Sequence, residues 1–314
     1  MKDLVHKMLS GDPVALSRLM SFIENNTQER LSVMTAVQEH CGALHCIGVT
    51  GPPGSGKSTL VNHLIAQWRQ RGKKVGVVAI DPSSPFSGGA VLGDRIRMQE
   101  HAGDDGVFIR SLGSRGSRGG LSRFTCEIVK LYDAYGMDIC IVETVGVGQT
   151  ELDIMGIADT TLVVLTPESG DTIQTMKAGI LEIADIFVVN KSDRPGATQM
   201  QKGLQQMIKM GPEDPQKNSW CVPVILTNAL KGEGIEEVRK DVERHLEMTR
   251  KSPLKKSEQS KTTKNEFREI VLSILGERVD EWTSSHTDKF SKTEEINPYR
   301  LAQDFLKEKK WDKQ

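Results

Sequence analysis

The sequence lacks any segment that would place the protein in a membrane or direct it to an export route. No apolar run approaches the roughly 18–20 residues that span a bilayer. The N-terminus shows neither the apolar core of a signal peptide nor an Arg- and Ser-rich transit pattern. We therefore expect a soluble, cytoplasmic protein with no membrane partner.

Paired cysteines and clustered histidines are also missing. The five cysteines show no C-x-x-C spacing, and the seven histidines form no H-x-x-x-H pair. Three of the cysteines lie in or beside apolar segments that resemble strands. This pattern predicts reduced core cysteines rather than a disulfide framework.

Neither sign of charge dominates. The 314 residues include 41 basic and 42 acidic side chains, for a formal net charge of −1. Such a balance gives no long-range field that would attract nucleic acid or an anionic membrane, so we predict neither partner. The length suffices for one large α/β domain with helical additions.

What the sequence does contain is a complete phosphate-binding motif, G-x-x-x-x-G-K-[ST]. An apolar run, Leu44–Val49, precedes the motif and an amphipathic stretch, Thr59–Trp68, follows it, which is the strand–loop–helix setting of a P-loop. Lys57 is expected to reach the β- and γ-phosphates, and the Ser58 hydroxyl to coordinate Mg²⁺. The motif thus predicts nucleoside triphosphate binding by Gly51, Pro52, Pro53, Gly54, Ser55, Gly56, Lys57 and Ser58.

A second motif predicts that the base is guanine. The apolar segment Ile186–Val189 ends in Asn190-Lys191-Ser192-Asp193. The Asp193 carboxylate can accept from the ring N–H and the exocyclic amine of guanine, whereas adenine would leave it unpaired at a cost of roughly 1–3 kcal/mol. Asn190 and the stem of Lys191 are expected to brace this loop and cover the base.

Another apolar segment, Val222–Leu226, ends in Thr227-Asn228-Ala229. We expect a backbone N–H of this loop to reach the guanine O6.

Apolar segments alternate with helical stretches between residues 43 and 249. They are continuous apolar runs, as a sheet covered on both faces requires. We predict a doubly wound, mostly parallel α/β sheet with the ligand at the carboxyl ends of its strands. The predicted strands are Leu44–Val49, Val75–Ile80, Val107–Ile109, Ile139–Val142, Thr161–Leu165, Ile186–Val189 and Val222–Leu226.

Helical additions are predicted on either side of this domain. Residues 1–42 form an N-terminal helical extension, in which Asp12 and Pro13 are typical of a helix start. Residues 250–265 are rich in Lys and Ser and predict a solvated linker. Residues 266–314 form a helical arm that either folds back on the domain or makes an oligomer interface.

Several polar residues at strand ends are candidates for sensing the γ-phosphate. Asp81 and Glu143 each end a predicted strand and can lie near Mg²⁺, while Asp94 is either a metal-site residue or a plain helix cap. Gly146 leaves its N–H free for the γ-phosphate. Gln149 either orients the attacking water or begins a helix.

Taken together, these motifs resemble the methylmalonyl-CoA mutase-associated GTPases of the MeaB type, whose relatives have also been called arginine/ornithine transport system ATPases or kinases. The resemblance rests on the P-loop, Asn190–Asp193 and three longer segments, and it covers at least residues 43–230. Arg118 departs from the apolar residue that is usual before Gly119-Gly120 in the family. The three segments are 81–89, 93–98 and 143–149.

The resemblance implies a Mg²⁺-dependent GTPase that cycles between GTP and GDP. It implies a homodimer formed through the C-terminal arm and a chaperone role toward an adenosylcobalamin-dependent acyl-CoA mutase such as methylmalonyl-CoA mutase. Thr59 joins the phosphate-binding residues, and Lys177 matches the key lysine of the switch that signals to the mutase. The same matching gives a metal site that comprises Ser58, Asp81, Asp94 and Glu143. It gives a guanine site that includes Asp193, Thr227, Asn228 and Ala229. The catalytic candidates are Lys57, Glu143, Gln149 and Lys177.

Three other functions remain open from the sequence. They are a metallochaperone GTPase, a kinase or ATPase of an arginine/ornithine transport system, and a nucleotide-binding protein without useful hydrolysis.

Overall fold

The computed structural model describes residues 1–25, 29–81, 99–101, 103–113, 124–144, 154–168, 183–210, 220–251, 255–290 and 297–308. The sequence candidates Asp94, Gly146, Gln149 and Lys177 lie outside these residues. The chain divides into two compact units, Met1–Pro253 and Leu254–Gln314, which are described separately.

A sheet of seven strands organises the first unit. Every neighbouring pair runs parallel, and the order across the sheet is β3-β2-β4-β1-β5-β6-β7. This confirms the predicted doubly wound α/β fold, although the last strand begins two residues later than predicted. The strands are β1 (His45–Thr50), β2 (Val75–Asp81), β3 (Val107–Gly113), β4 (Ile139–Glu143), β5 (Thr160–Leu165), β6 (Ile186–Val189) and β7 (Val224–Leu226).

Helices cover both faces of this sheet. Every residue of β1, β4, β5 and β6 is buried, which explains why apolar residues dominate these strands and polar ones occur only at the strand ends. The described helices of the unit are α1 (Lys2–Leu9), α2 (Pro13–Asn25), α3 (Arg30–Gln38), α4 (Lys57–Arg69), α5 (Phe124–Tyr135), α6 (Ala197–Met210) and α7 (Ile235–Lys251). Short 3₁₀ turns occur at Gln99–His101 and Ile154–Gly156.

The N-terminal helices brace one face of the sheet. The Asp12 carboxylate accepts the Val14 N–H at 2.8 Å and the Ala15 N–H at 3.3 Å, so it caps α2 as the sequence predicts. The apolar face of α2 is buried in one core with residues of β2, β4 and α5. The helices therefore extend the same hydrophobic core instead of forming a separate module.

Aspartates tie down the amino ends of the strands. Four aspartate carboxylates accept backbone N–H groups at the amino ends of β1, β2 and β5. These aspartates are Asp133, Asp138, Asp159 and Asp185. Near β3, hydrogen bonds from the Arg69 guanidinium lower the pKa of Asp104, and that carboxylate also accepts the Gly106 N–H. These contacts lie at the amino ends of the strands, whereas the predicted ligand lies at their carboxyl ends.

The second unit comprises α8 (Lys255–Ser285), α9 (Thr287–Phe290) and α10 (Pro298–Glu308). Its centre is Trp282, whose ring lies edge-on to Phe290 and to Phe305 with centroid distances of 6.3 and 5.7 Å. The Trp282 indole N–H donates to Glu308 Oε2 at 2.6 Å. Among the described helices of the chain, none is both long enough and apolar enough to cross a bilayer.

The solvated linker predicted at 250–265 differs from the structure. Helix α7 continues to Lys251 and α8 begins at Lys255, so most of this segment is helical. Lys, Glu and Gln are good helix formers, so a polar composition is compatible with a helix here. The boundary between the two units, after Pro253, falls within this segment.

We predict that the core between the N-terminal helices and the sheet contributes strongly to stability. Leu19 in α2 is fully buried, whereas Leu31 in α3 is 44% exposed. Leu19→Ala should lower the free energy of unfolding by ~2–5 kcal/mol because it leaves a cavity. Leu31→Ala should cost less than ~1 kcal/mol. Urea unfolding followed by circular dichroism measures both, and equal losses would contradict the shared core.

Candidate nucleotide-binding site

The predicted binding motifs meet at the carboxyl edge of the sheet. Strand β1 lies between β4 and β5. The strands that follow β1 in the chain, β2 to β4, lie on one side of it, and β5 to β7 lie on the other side. This reversal of strand order opens a crevice beyond the strand ends, where ligands of such sheets bind. The phosphate loop follows β1, and the two predicted guanine loops follow β6 and β7.

The phosphate loop needs glycine at two close approaches. Gly51 and Gly56 have φ values of 138° and 90°, in the region that side chains rarely adopt. A Cβ at Gly51 would overlap the Val164 carbonyl oxygen of β5, and a Cβ at Gly56 would overlap the Asn190 amide. The loop therefore packs directly on β5 and on the loop after β6, and it leads into the N-terminus of α4, which favours anions.

The two reactive side chains of the motif are buried within the loop. Lys57 is 7% exposed, and its ammonium donates to the carbonyls of Gly51 at 2.8 Å and Pro52 at 3.1 Å. The Ser58 hydroxyl donates to Glu143 Oε1 at 2.7 Å. Because Glu143 ends β4 beside β1, the sheet brings together one hydroxyl and one carboxylate of the predicted metal site.

The side chains of the other two predicted metal residues, Asp81 and Asp94, are not described by the structure. Asp81 is the last residue of β2, but its side chain lies outside the described part of the structure, as does Asp94. Within the residues that are described, no three His, Cys, Asp or Glu side chains gather into a metal-binding group. Hydroxyl and carboxylate oxygens are nevertheless the donors that Mg²⁺ prefers, so Ser58 and Glu143 fit this ion.

A contact between the ends of β1 and β4 is not predicted by any sequence motif. The Thr144 hydroxyl donates to the Thr50 hydroxyl at 3.0 Å, and the Thr144 N–H donates to the Val49 carbonyl at 3.0 Å. This pairing continues the β1–β4 ladder up to the phosphate loop. Two threonines 94 positions apart give no signal until the strand order is known.

Asn190 joins the three loops of the site. Its Nδ2 donates to the Ser55 carbonyl at 2.8 Å, and its Oδ1 accepts the Thr227 hydroxyl at 3.2 Å and the Ala229 N–H at 3.0 Å. The side chain is only 3% exposed. Asn190 therefore holds the phosphate loop and the loop after β7 in one fixed arrangement.

The backbone donors of the loop after β7 bind protein acceptors. The N–H groups of Thr227, Asn228 and Ala229 donate to Val189 O, Glu233 O and Asn190 Oδ1 at 2.9, 3.0 and 3.0 Å. A guanine O6 that accepted from one of these three N–H groups would therefore share the donor with a protein acceptor. The guanine contact expected from the sequence stays a prediction.

Asp193 is placed as a free acceptor at the edge of the site. It is exposed, and its carboxylate makes no hydrogen bond or ion pair with other described residues. The turn that carries it begins at Lys191, whose φ of 58° is the one positive value at a described residue other than glycine. The Ser192 N–H donates to the Thr227 carbonyl at 3.0 Å, which fixes the turn against the neighbouring loop.

Comparison with known proteins agrees with this geometry. The family described as "Methylmalonyl Co-A mutase-associated GTPase MeaB" matches residues 16–284. A Pyrococcus abyssi protein provisionally named a GTPase is 42% identical over 312 residues, which are 98% of this chain and 96% of that protein. The Escherichia coli protein named GTPase ArgK is 33% identical over 246 residues, which cover 75% and 73% of the two chains.

A solved structure shares the fold. The crystal structure of a protein described as an LAO/AO transport system kinase superposes with a TM-score of 0.69 over 99% of this chain and 93% of that one. Its sequence identity is 23%, so the likeness concerns the fold alone.

We predict that Asn190→Ala weakens nucleotide binding, because Asn190 holds the three loops of the site together. The change would leave the Ser55 carbonyl, the Thr227 hydroxyl and the Ala229 N–H unpaired, at roughly 1–3 kcal/mol for each buried group. Both the thermal unfolding midpoint and the affinity for guanine nucleotides should fall, as measured by calorimetry. Unchanged nucleotide affinity would contradict the role of Asn190 as the link between the loops.

We also predict that Asp193→Asn changes which base is bound. The amide would face the amine of guanine with a donor, whereas xanthine offers an oxygen at the same position. GTP affinity should fall by about tenfold or more, since an unmet donor costs roughly 1–3 kcal/mol, and xanthosine triphosphate affinity should rise. Titrations with both nucleotides measure this, and equal GTP binding by variant and unaltered protein would contradict the assignment.

Proposed function

Because the chain belongs to the family of methylmalonyl-CoA mutase-associated GTPases of the MeaB type, we propose that it is a GTP-hydrolysing chaperone of an adenosylcobalamin-dependent acyl-CoA mutase. The GTPase activity itself follows from the family and from the named relatives. The mutase role rests on one observation, which is the family match from residue 16 to residue 284. In this role the protein gates cofactor loading and protects or reactivates the mutase.

The proposed chemistry is in-line attack of water on the γ-phosphoryl group. Catalysis of such a transfer depends mainly on positioning and on stabilising charge. In this proposal the Lys57 ammonium exchanges its contacts with the Gly51 and Pro52 carbonyls for β- and γ-phosphate oxygens. The backbone N–H groups of the loop and the N-terminus of α4 hold the remaining phosphate charge.

Mg²⁺ belongs to the proposal as the cation that neutralises the phosphates. Ser58 would coordinate it directly, and Glu143 would hold a coordinated water, because the two side chains lie together at the loop. Asp81 and Asp94 complete the proposed site from positions whose side chains the structure does not describe.

Communication with the mutase is proposed to run through the two segments that follow β4 and β5. These strands flank β1, and residues 145–153 and 169–182 follow them in the sequence. Gly146 and Gln149 lie in the first segment and Lys177 in the second. We propose that Gly146 senses the γ-phosphate, Gln149 orients the attacking water and Lys177 signals to the mutase.

A homodimer formed through the second unit is also part of the proposal. Helix α8 carries large apolar side chains that remain exposed in the single chain, including Phe267 at 67%, Leu272 at 50% and Val279 at 42%. Exposed apolar groups along one helix are typical of an interface with another copy. The cytoplasmic location expected from the sequence is likewise proposed.

The test is GTP hydrolysis with and without purified methylmalonyl-CoA mutase. We expect slow intrinsic hydrolysis and a stimulation on the order of tenfold, which corresponds to ~1.4 kcal/mol of the activation barrier. Lys57→Ala serves as the control, since it should abolish both rates and so exclude a contaminating GTPase.

An unchanged rate with the mutase would overturn the chaperone role and leave the GTPase activity intact. With GTP labelled at the γ-phosphate, the label should appear in inorganic phosphate. Label on a protein would instead favour the kinase alternative.

A further inference from the structure

One acidic residue outside the predicted motifs contacts the guanine loop. Glu168 lies three positions beyond the end of β5, and its carboxylate forms ion pairs with two residues of the turn after β6. The Lys191 ammonium lies 3.6 Å from Glu168 Oε2, and the Arg194 guanidinium pairs with Oε1. A single carboxylate therefore holds two cations of one short turn.

These two cations flank the residue that is expected to recognise guanine. Lys191 and Arg194 lie on either side of Asp193 in the sequence, yet Asp193 pairs with neither of them. A carboxylate next to an arginine and near a lysine would ordinarily attract one of them. Both cations pair with the Glu168 carboxylate instead.

We propose that Glu168 is a positioning residue for guanine recognition, which keeps Lys191 and Arg194 away from Asp193 so that the Asp193 carboxylate stays available to the base. This inference rests on the proposed contact between Asp193 and guanine, and it is independent of the mutase role. Glu168 itself need not touch the nucleotide.

Removal of the Glu168 charge should change nucleotide affinity in the direction opposite to that expected from long-range charge alone. Guanine nucleotides are polyanions, so removal of a negative charge near the site should strengthen their binding if only long-range charge matters. If Glu168 positions the loop, its removal weakens binding because Arg194 or Lys191 then pairs with Asp193. The direction of the change in affinity thus separates the two effects.

The base-specific part of the affinity can be isolated with inosine diphosphate. This nucleotide carries the same phosphates as GDP but lacks the exocyclic amine that Asp193 would accept from. The ratio of its dissociation constant to that of GDP should be about tenfold or more in the unaltered protein, because a hydrogen bond to a charged acceptor is lost. Global changes in stability or charge affect both nucleotides alike and leave the ratio unchanged.

The experiment measures this ratio by calorimetry for Glu168→Gln and for a matched control, Glu236→Gln. Glu236 has nearly the same side-chain exposure, 54% against 53%, and it also faces two cations, Lys240 at 3.0 Å and Arg239 at 4.0 Å. It lies on α7 and outside the site. For Glu168→Gln the ratio should fall by about three- to tenfold, in keeping with two partly exposed ion pairs. The ratio for Glu236→Gln should not change.

A second substitution tests the competition directly. Adding Arg194→Gln to Glu168→Gln removes a cation that would occupy Asp193, so the double variant should recover most of the lost discrimination.

An unchanged ratio in Glu168→Gln, or tighter binding of both nucleotides, would overturn the role of Glu168 alone. A ratio that falls and is not recovered in the double variant would overturn the competition by Arg194. If Asp193→Asn leaves the ratio unchanged, the assignment of Asp193 fails and the role of Glu168 fails with it.

Discussion

The hydrogen bonds of one buried amide hold the nucleotide site together. Asn190 connects the phosphate loop after β1 with the loops after β6 and β7, and the three contacts use both ends of its side chain. A buried amide is stable only when its donors and acceptors are paired, so the three loops can adopt few relative positions. The absence of a side chain at Gly56 is what allows this approach.

The sheet explains why these loops meet at all. Its parallel strands place all their carboxyl ends on one edge, and the position of β1 between β4 and β5 sets the phosphate loop at the change of direction. The amino ends of the strands have a structural role. There aspartate carboxylates accept the backbone N–H groups of residues at the start of the strands. The stabilising carboxylates and the candidate nucleotide site therefore lie at opposite ends of the strands.

The fold and much of the site could be predicted because their signals are local. Continuous apolar runs marked the seven strands, and the P-loop and the Asn190–Asp193 motif are contiguous in the chain. At 250–265 the prediction from composition was wrong. The charged residues were interpreted as a linker, but the chain is helical from Lys255 onward. A polar helix can have the same composition as a linker, so hydrophobic patterning cannot separate them.

By itself the sequence determined the class of the protein, the phosphate-binding chemistry and the preference expected for guanine, since each depends on residues that are neighbours in the chain. Tertiary structure alone decided that Ser58 meets Glu143, that Thr144 meets Thr50, and that Glu168 pairs with the cations beside Asp193. Those partners are separated by tens of residues. Their contacts exist because the strand order brings distant strand ends to one edge, and no short-range pattern encodes that order.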